Sequence, residues 1–431
     1  MKDWRRVQDL ADDVDQDVTV LGWVVHHRSS GRIQFLTIRD GTGEVQAVVR
    51  ADSVSAEAWD AAGALAQEAS VSIAGRVRAD PRAPGGVELQ VQDVRLVGDA
   101  HEYPLTPKEH GTDYLMDHRH LWIRTPRQAA ILRLRARIIH AVRAFLDDHG
   151  FVLADPPIIT PAAAEGTTTL FGIDYFGEPT YLSQSGQLYM EALAMALGRV
   201  YSFGPTFRAE KSKTRRHLME FWMVEPEIAF CDFDENLAWQ EELVAYVVED
   251  VLGHASRELA IIGRDVEPLR KVVPPFPRLS YDEALDRLRE AGMPLAWGDD
   301  FGAAHETYLA DLFDRPVFVH RFPTAAKAFY MKPDPERPEV ALAADLLAPE
   351  GYGEIVGGSQ RIDDAELLAQ RLQEHHLSAE TYAWYMDLRR YGSVPHSGFG
   401  LGIERLVAWI GKLDHVRETI PFARTLTRVW P

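Results

Sequence analysis

Between Val18 and Val97 the chain alternates apolar and polar residues in five short runs: VTVLGWVV, GRIQFLTIRD, GEVQAVVR, ASVSIAGRVRAD and GGVELQVQDVRLV. A period of two sends successive side chains to opposite faces of a strand. Turn signals such as Asp40-Gly41 and Gly85-Gly86 separate the runs. A more helical interval, VSAEAWDAAGALAQ, lies between the third and the fourth.

Five strands with a helix after the third predict a small barrel of the OB type, whose face commonly binds oligonucleotides. Pattern alone leaves RNA binding and other roles equally open. Arg28, Arg32 and Arg39 fall near Phe35, the mixture of cations and a ring that single-strand readers use; Phe35 as a core residue is the alternative. The chain's formal net charge of −19 argues against bulk attraction to nucleic acid, so an RNA partner has to be met by local patches.

With 431 residues there is room for two or three domains. We expect the barrel over 1–100, a linker over 101–124 that holds Pro104, Pro107, Gly111 and several histidines without periodicity, and a second domain over 125–431. No segment is apolar enough to span a bilayer, and MKDWRRVQDLADDVDQDV lacks the apolar run of a signal peptide. Cys231 is the only cysteine, which excludes internal disulfides and CxxC zinc sites. A cytoplasmic setting is expected.

The second domain opens with a marked helix. Thr125 is its expected N-cap, Pro126 fills the first turn and Gly150 closes it, with Ile131, Leu134, Ile138, Val142 and Phe145 on one face. FVLADPPIITPA follows as an extended run in which Pro156 and Pro157 forbid a central strand position. Farther on, FRAE (207–210) and RHLMEF (216–221) lead into WMVEPEIAF, and Arg208, Lys211, Lys213, Arg215 and Arg216 crowd the stretch 208–216. Such a charge run is either a solvated hairpin tip or a site for a polyanion. Near the C-terminus GFGLGIERLVAWI (398–410) sets three glycines at alternate positions before an apolar helix that carries Arg405.

In this order and spacing these stretches resemble the three signature motifs of class II aminoacyl-tRNA synthetases, in the aspartyl, asparaginyl and lysyl subgroup, and the resemblance covers nearly the whole chain. It implies an α+β protein: a five-stranded OB-fold anticodon-binding barrel, then a catalytic domain with an antiparallel β-sheet flanked by helices. It also implies a homodimer through the first-motif helix and the Pro157 segment. By the family's pattern Arg208 bridges the amino-acid carboxylate and the α-phosphate of ATP. Arg405, Arg216 and His217 hold the outer phosphates, Glu210 accepts the adenine amino group, and Phe221 and Arg405 sandwich the ring. In DLLAPEGYGEIVGGSQR, Glu354 and Asp345 are the implied Mg²⁺ ligands, Asp345 one residue off the expected spacing. Lys211 and Lys213 fall in a variable loop, open to the tRNA acceptor end or to solvent alone. The α-carboxyl group of an amino acid, with a pKa of roughly 3.5, needs no general base; positioned cations do the work.

Within the subgroup the resemblance points to asparagine and its tRNA, tRNA(Asn). YLSQSGQLYMEA places Met190 where aspartyl enzymes carry a lysine, and FWMVEPE places Glu225 where they carry an aspartate. Arg361, ending GGSQR, remains to donate to the side-chain carbonyl, while Glu165, Ser185 and Gln187 match the residues that fix the α-ammonium. Leaving a buried carboxylate unpaired costs on the order of 3–5 kcal/mol, enough for discrimination of about 10²–10³ or more. In the barrel Phe35 is expected to stack on the middle anticodon base with Arg28 and Gln46 nearby. Three rival readings stay open here: an aspartyl enzyme of the archaeal type, a paralogue making free asparagine, and a non-catalytic RNA-binding protein on this scaffold.

Overall fold

The computed structural model describes residues 4–164, 169–212 and 214–431, and they divide into two units at Leu115/Met116. In the first, β1 (Asp17–Ser30), β2 (Ile33–Arg39), β3 (Glu44–Arg50), β4 (Ser70–Ala79) and β5 (Val87–Gly98) close a barrel in the order β1-β2-β3-β5-β4, with β1 pairing back onto β4. All pairs are antiparallel except β3 with β5. The helix Ala56–Ala64 follows β3, capped by Ser55, whose hydroxyl accepts from the Ala58 N–H. Strand alternation decides what is inside: Leu36 and Ile38 join Val20, Val45 and Ile73 in the core, and Phe35 and Thr37 face outward. Phe35 is not a core residue.

The second half of the stretch expected to be linker is helical, over Thr112–Asp117 and Arg119–Trp122. Arg119 explains the order: its buried guanidinium donates to the carbonyls of Pro421 (2.9 Å) and Ile420 (3.1 Å) and to Gln128 Oε1 (2.7 Å). Burial lowers its pKa to about 10.

The second unit adds β6 (Val152–Leu153), β7 (Ile159–Thr160), β8 (Gly172–Tyr175), β9 (Glu178–Leu182), β10 (Arg199–Phe207), β11 (Glu220–Ala229), β12 (Arg278–Ser280), β13 (Val317–His320), β14 (Ala343–Ala348), β15 (Gly353–Gln360) and β16 (His396–Gly402). Its main sheet runs β12-β13-β14-β15-β16-β11-β10-β6, and β7, β9 and β8 form a small sheet of their own. The expected antiparallel order holds from β13 through β10; both edges, β12 on β13 and β6 on β10, are parallel. The double proline leaves only short edge pieces around it, and Val152, Leu153, Ile158 and Ile159 stay exposed.

Helices Pro126–Asp148 and Phe233–His254 pack together, and the apolar face read from the sequence is buried from Ile131 to Phe145. Thr125 occupies the N-cap but does not cap; its hydroxyl donates instead to the Trp122 carbonyl at 2.9 Å. Gly150 follows the helix with φ 77°, where a side chain is disfavoured.

Cys231, between β11 and the Phe233–His254 helix, is 2% exposed, and burial, reinforced by Glu235 and Asp232, pushes its thiol up to about 12. Thiolate is the reactive form. At pH 8 an aromatic disulfide reagent should therefore leave the folded protein unmodified and titrate one thiol after denaturation; rapid labelling of the native state would contradict this placement.

Candidate active site

Two adjoining chambers open on the sheet, of about 310 and 450 Å³. Both are lined by Arg208, Met223, Asp300, Glu306, Glu354 and Gly400, so these residues stand between them. The β10–β11 hairpin builds the shared wall. Phe207 pairs with Glu220, and the Arg208 N–H donates to the Met219 carbonyl at 3.0 Å, which turns Arg208 in over the strands. Along β11 the period of two then sends Phe221, Met223, Glu225 and Glu227 to the chamber side.

Those side chains explain the alternate glycines of β16. A Cβ on Gly398 would fall 2.0 Å from Glu227 Oε2, and one on Gly400 2.5 Å from Met223 Cε. The glycines make room for the neighbouring strand's inward side chains. The same strand carries the chain into the Ile403–Gly411 helix, whose Arg405 lines the larger chamber.

The smaller chamber holds most of the residues expected to bind the amino acid. Glu225, buried, accepts from Ser185 Oγ, from the Gly186 N–H (2.9 Å) and from Ser202 Oγ (3.2 Å). Burial raises its pKa against those donors. Arg361 donates Nε and Nη2 to the two oxygens of Glu227 (3.0 and 2.9 Å) and Nη1 to Ser359 Oγ (2.6 Å). Burial lowers the Arg361 pKa, but Glu227 outweighs it and the net direction is up. Gln187 lines the chamber, its N–H on Ser185 Oγ at 3.1 Å.

Met190 does not belong with them. It is fully buried against Ala194, Val200 and Leu193 and is not among the chamber's lining residues. Its place in the helix Gln187–Leu197 faces the core, so the expected loss of a cation from the substrate pocket is corrected: position 190 is packing. Glu165 and Lys213 lie outside the described residues.

The larger chamber gathers Glu210, Arg216, His217, Phe221 and Arg405 as expected. Arg216 is anchored on Glu306 (3.0 Å), Thr307 (2.8 Å) and the Gly351 carbonyl. His217 accepts or donates to Thr214 and lies 3.6 Å from Glu210. Burial and the nearby Arg405 lower the His217 pKa against the pull of Glu210 and Glu354, which favours the neutral ring. Lys211 and Arg215 are exposed.

Glu354 lies between the chambers, 3.0 Å from Arg405 Nη1; burial raises its pKa, but Arg405, Lys327 and Arg208 hold it below the ordinary carboxylate range. Asp345 pairs with Lys327 Nζ at 2.8 Å, and burial together with Glu354 pushes it up to about 7 against that pull. A Cβ on Gly357 would meet Glu354 Oε1 at 2.9 Å and Asp345 Oδ1 at 3.5 Å. The glycine thus keeps open the space on which one oxygen of each acid converges, a hard-oxygen donor pair suited to Mg²⁺.

In the barrel, Arg28 lies over the Phe35 ring at 4.3 Å, across the β1–β2 pairing, and Gln46 Nε2 donates to Glu88 Oε2 at 3.4 Å. Glu227, Glu306 and Lys327 went unread in the sequence. Glu227 was findable, because it follows Glu225 by one strand period. Glu306 arrives on the helix Ala303–Asp311 and Lys327 from the turn after Thr324–Ala326, and neither carried a local signal.

The profile described as tRNA synthetases class II (D, K and N) matches residues 111–426, and one described as an OB-fold nucleic acid binding domain matches 18–97. The chain belongs to the class II tRNA synthetases. It is 60% identical over 435 residues to an asparagine--tRNA ligase of Symbiobacterium thermophilum (99% of this chain, 100% of that one) and 59% identical over 425 residues to one of Desulforamulus reducens (99% of each). Its structure superposes at a TM-score of 0.97, with 47% identity and full coverage of both chains, on a crystal structure of asparaginyl-tRNA synthetase from Pyrococcus horikoshii complexed with asparaginyl-adenylate.

For this synthetase the convergence of Glu354 and Asp345 on Gly357 has a direct test. Gly357→Ala should raise the Mg²⁺ concentration needed for half-maximal activity by about tenfold or more, while the melting temperature stays close to wild type. An unchanged Mg²⁺ requirement would contradict the converging geometry.

Proposed function

We propose that this synthetase joins asparagine to tRNA(Asn) in two steps. The asparagine carboxylate attacks the α-phosphorus of ATP and pyrophosphate leaves; a hydroxyl of the tRNA's 3′-terminal adenosine then attacks the adenylate carbonyl and AMP leaves. The nucleophile of the first step needs no base, because the carboxylate is already ionised. The difficulty is the meeting of anions, and charge is what the site supplies.

Arg208 stands between the chambers, where the carboxylate and the α-phosphate meet. The larger chamber takes the nucleotide: adenine between Phe221 and Arg405, its amino group toward Glu210, and the outer phosphates toward Arg405, His217 and the Arg216 N–H groups that Glu306, Thr307 and Gly351 leave uncommitted. Glu354 and Asp345 would hold Mg²⁺, which when bound would supply positive charge against the leaving pyrophosphate. Ser185, Gln187 and Glu165 are assigned to the α-ammonium group.

The choice of asparagine over aspartate is carried by the Arg361–Glu227 pair. Nε, one Nη2 hydrogen and one Nη1 hydrogen of Arg361 are spent on Glu227 and Ser359, which leaves two N–H groups for a carbonyl and a charge already compensated. The chamber is lined by Glu225, Glu227, Asp300, Glu306, Asp345 and Glu354 against Arg208, Lys327 and Arg361, and Lys327 is itself paired with Asp345. Acids outnumber cations. A neutral carboxamide donates to the Glu225 side and accepts from Arg361, whereas a carboxylate adds another anion with no uncompensated partner.

A homodimer is supported by the apolar run left exposed beside the double proline, Val152, Leu153, Ile158 and Ile159, on the segment that the family uses for its interface. The cytoplasm fits a translation enzyme, and no described helix is long and apolar enough to cross a membrane. The outward Arg28–Phe35 stack, with Gln46 near it, is assigned to the anticodon.

ATP–pyrophosphate exchange with each amino acid in turn tests the reading. We expect asparagine to exceed aspartate by about 10² or more in kcat/KM; exchange as fast with aspartate overturns it. Phe35→Ala should weaken tRNA binding by about 1–3 kcal/mol, the worth of one stacked base, and an unchanged filter-binding affinity would remove Phe35 from the anticodon site.

A further inference from the structure

Glu191 lies behind the amino-acid chamber on the helix Gln187–Leu197, completely buried. Its carboxylate is saturated by four donors from different parts of the chain. Gln187 Nε2 (3.0 Å) and the Tyr385 hydroxyl (2.5 Å) meet Oε1; Arg389 Nη2 (2.6 Å) and His396 Nε2 (2.9 Å) meet Oε2. Glu191, Glu227 and His396 lie close enough together to resemble a cation site. Arg389 and Arg361 already supply positive charge there, so the cluster needs no metal.

The consequence falls on Gln187. A glutamine amide has a donor end and an acceptor end of nearly the same shape, and its surroundings decide which way it turns. An ionised carboxylate only accepts. Against Glu191 the NH₂ end of Gln187 must therefore face inward, and the carbonyl Oε1 is the end left for the chamber that Gln187 lines. Oε1 is not among the described atoms that are sealed off without a partner. The helix start is held as well, by the Gln187 N–H on Ser185 Oγ.

We propose that Glu191 is a positioning residue for the amino-acid substrate: it locks the Gln187 amide with its carbonyl toward the chamber, so that the site presents an acceptor to the substrate's α-ammonium. This rests on the amino-acid reading of that chamber. With the lock absent the amide is free to turn and offer NH₂, which repels the ammonium and leaves it one partner short.

The test uses the full-length protein and ATP–pyrophosphate exchange. In Glu191→Gln the amide at position 191 can either donate or accept, so Gln187 is no longer fixed. KM for asparagine should rise about 10–100-fold, the worth of one charge-assisted hydrogen bond, with kcat and KM for ATP near wild type. The double variant Gln187→Glu with Glu191→Gln should recover most of that KM, because a carboxylate at 187 presents an acceptor whichever way it turns and the amide at 191 can donate to it. Both variants deprive Arg389 and His396 of the same carboxylate, so structural damage cannot produce the recovery. Tyr385→Phe, which removes another donor from the same Oε1, should leave KM for asparagine in place. If Glu191→Gln loses its cooperative melt, Gln187→Met takes over: it removes the acceptor without touching the carboxylate, and KM should again rise. An unchanged KM in Glu191→Gln or in Gln187→Met, or no recovery in the double variant, overturns the proposal. A wild type that activates no asparagine overturns the functional reading instead, and the wild-type reaction reports that separately.

Discussion

Arg361 and Glu227 bury a guanidinium and a carboxylate side by side at 3–4% and 1% exposure, joined at both oxygens. Taking either charge out of water alone would be costly, and removing one partner of such a pair costs about 3–5 kcal/mol. The surrounding backbone is arranged to keep the two together. Glu227 reaches Arg361 across the space that a side chain on Gly398 would fill, so the glycine of one strand and the acid of the next are a single adaptation. Gly398 and Gly400 on the approach to Arg405 thus serve Glu227 and Met223 of β11 first, and any ligand above the sheet second.

The rest of the site balances charge around that pair. An acidic wall is a poor place for an anion, and both substrates of the first step carry carboxylate or phosphate. The solution is spatial. Arg208, Arg216 and Arg405 line the junction and the larger chamber, to which we assign the phosphates, Arg216 and Arg405 each held by an acid there, whereas Arg361 is joined at both oxygens of Glu227 in the smaller one. A protein with a formal net charge of −19 can in this way handle two polyanions, ATP and tRNA, through a few placed cations. Outside the catalytic unit, the barrel's outward Arg28–Phe35 stack is the same economy at smaller scale.

Local pattern carried the fold where one face is buried and the other is not. The five barrel strands, the helix after the third and the apolar stripe from Ile131 to Phe145 all lie where periodicity put them. The stretch from 112 to 122 was illegible because its order comes from Arg119 reaching carbonyls some 300 positions away, which no local window contains. Position 190 misled for another reason. A resemblance aligned it with a cation-bearing site, but Met190 and Ala194 share one helix face and both are core, a spacing of four that argues for packing. Glu227 was within reach of the strand period, and Lys327, brought to Asp345 from a separate loop, was not.

In the proposed reaction the smaller chamber is electrostatically complete before the substrate's side chain arrives. Non-reactive sulfamoyl analogues of the asparaginyl and aspartyl adenylates differ only at that side chain, so their relative affinity, measured by calorimetry on the wild-type protein, isolates it. The asparaginyl form should bind tighter by about 10² or more. Equal affinities, or a preference for the aspartyl form, would contradict it.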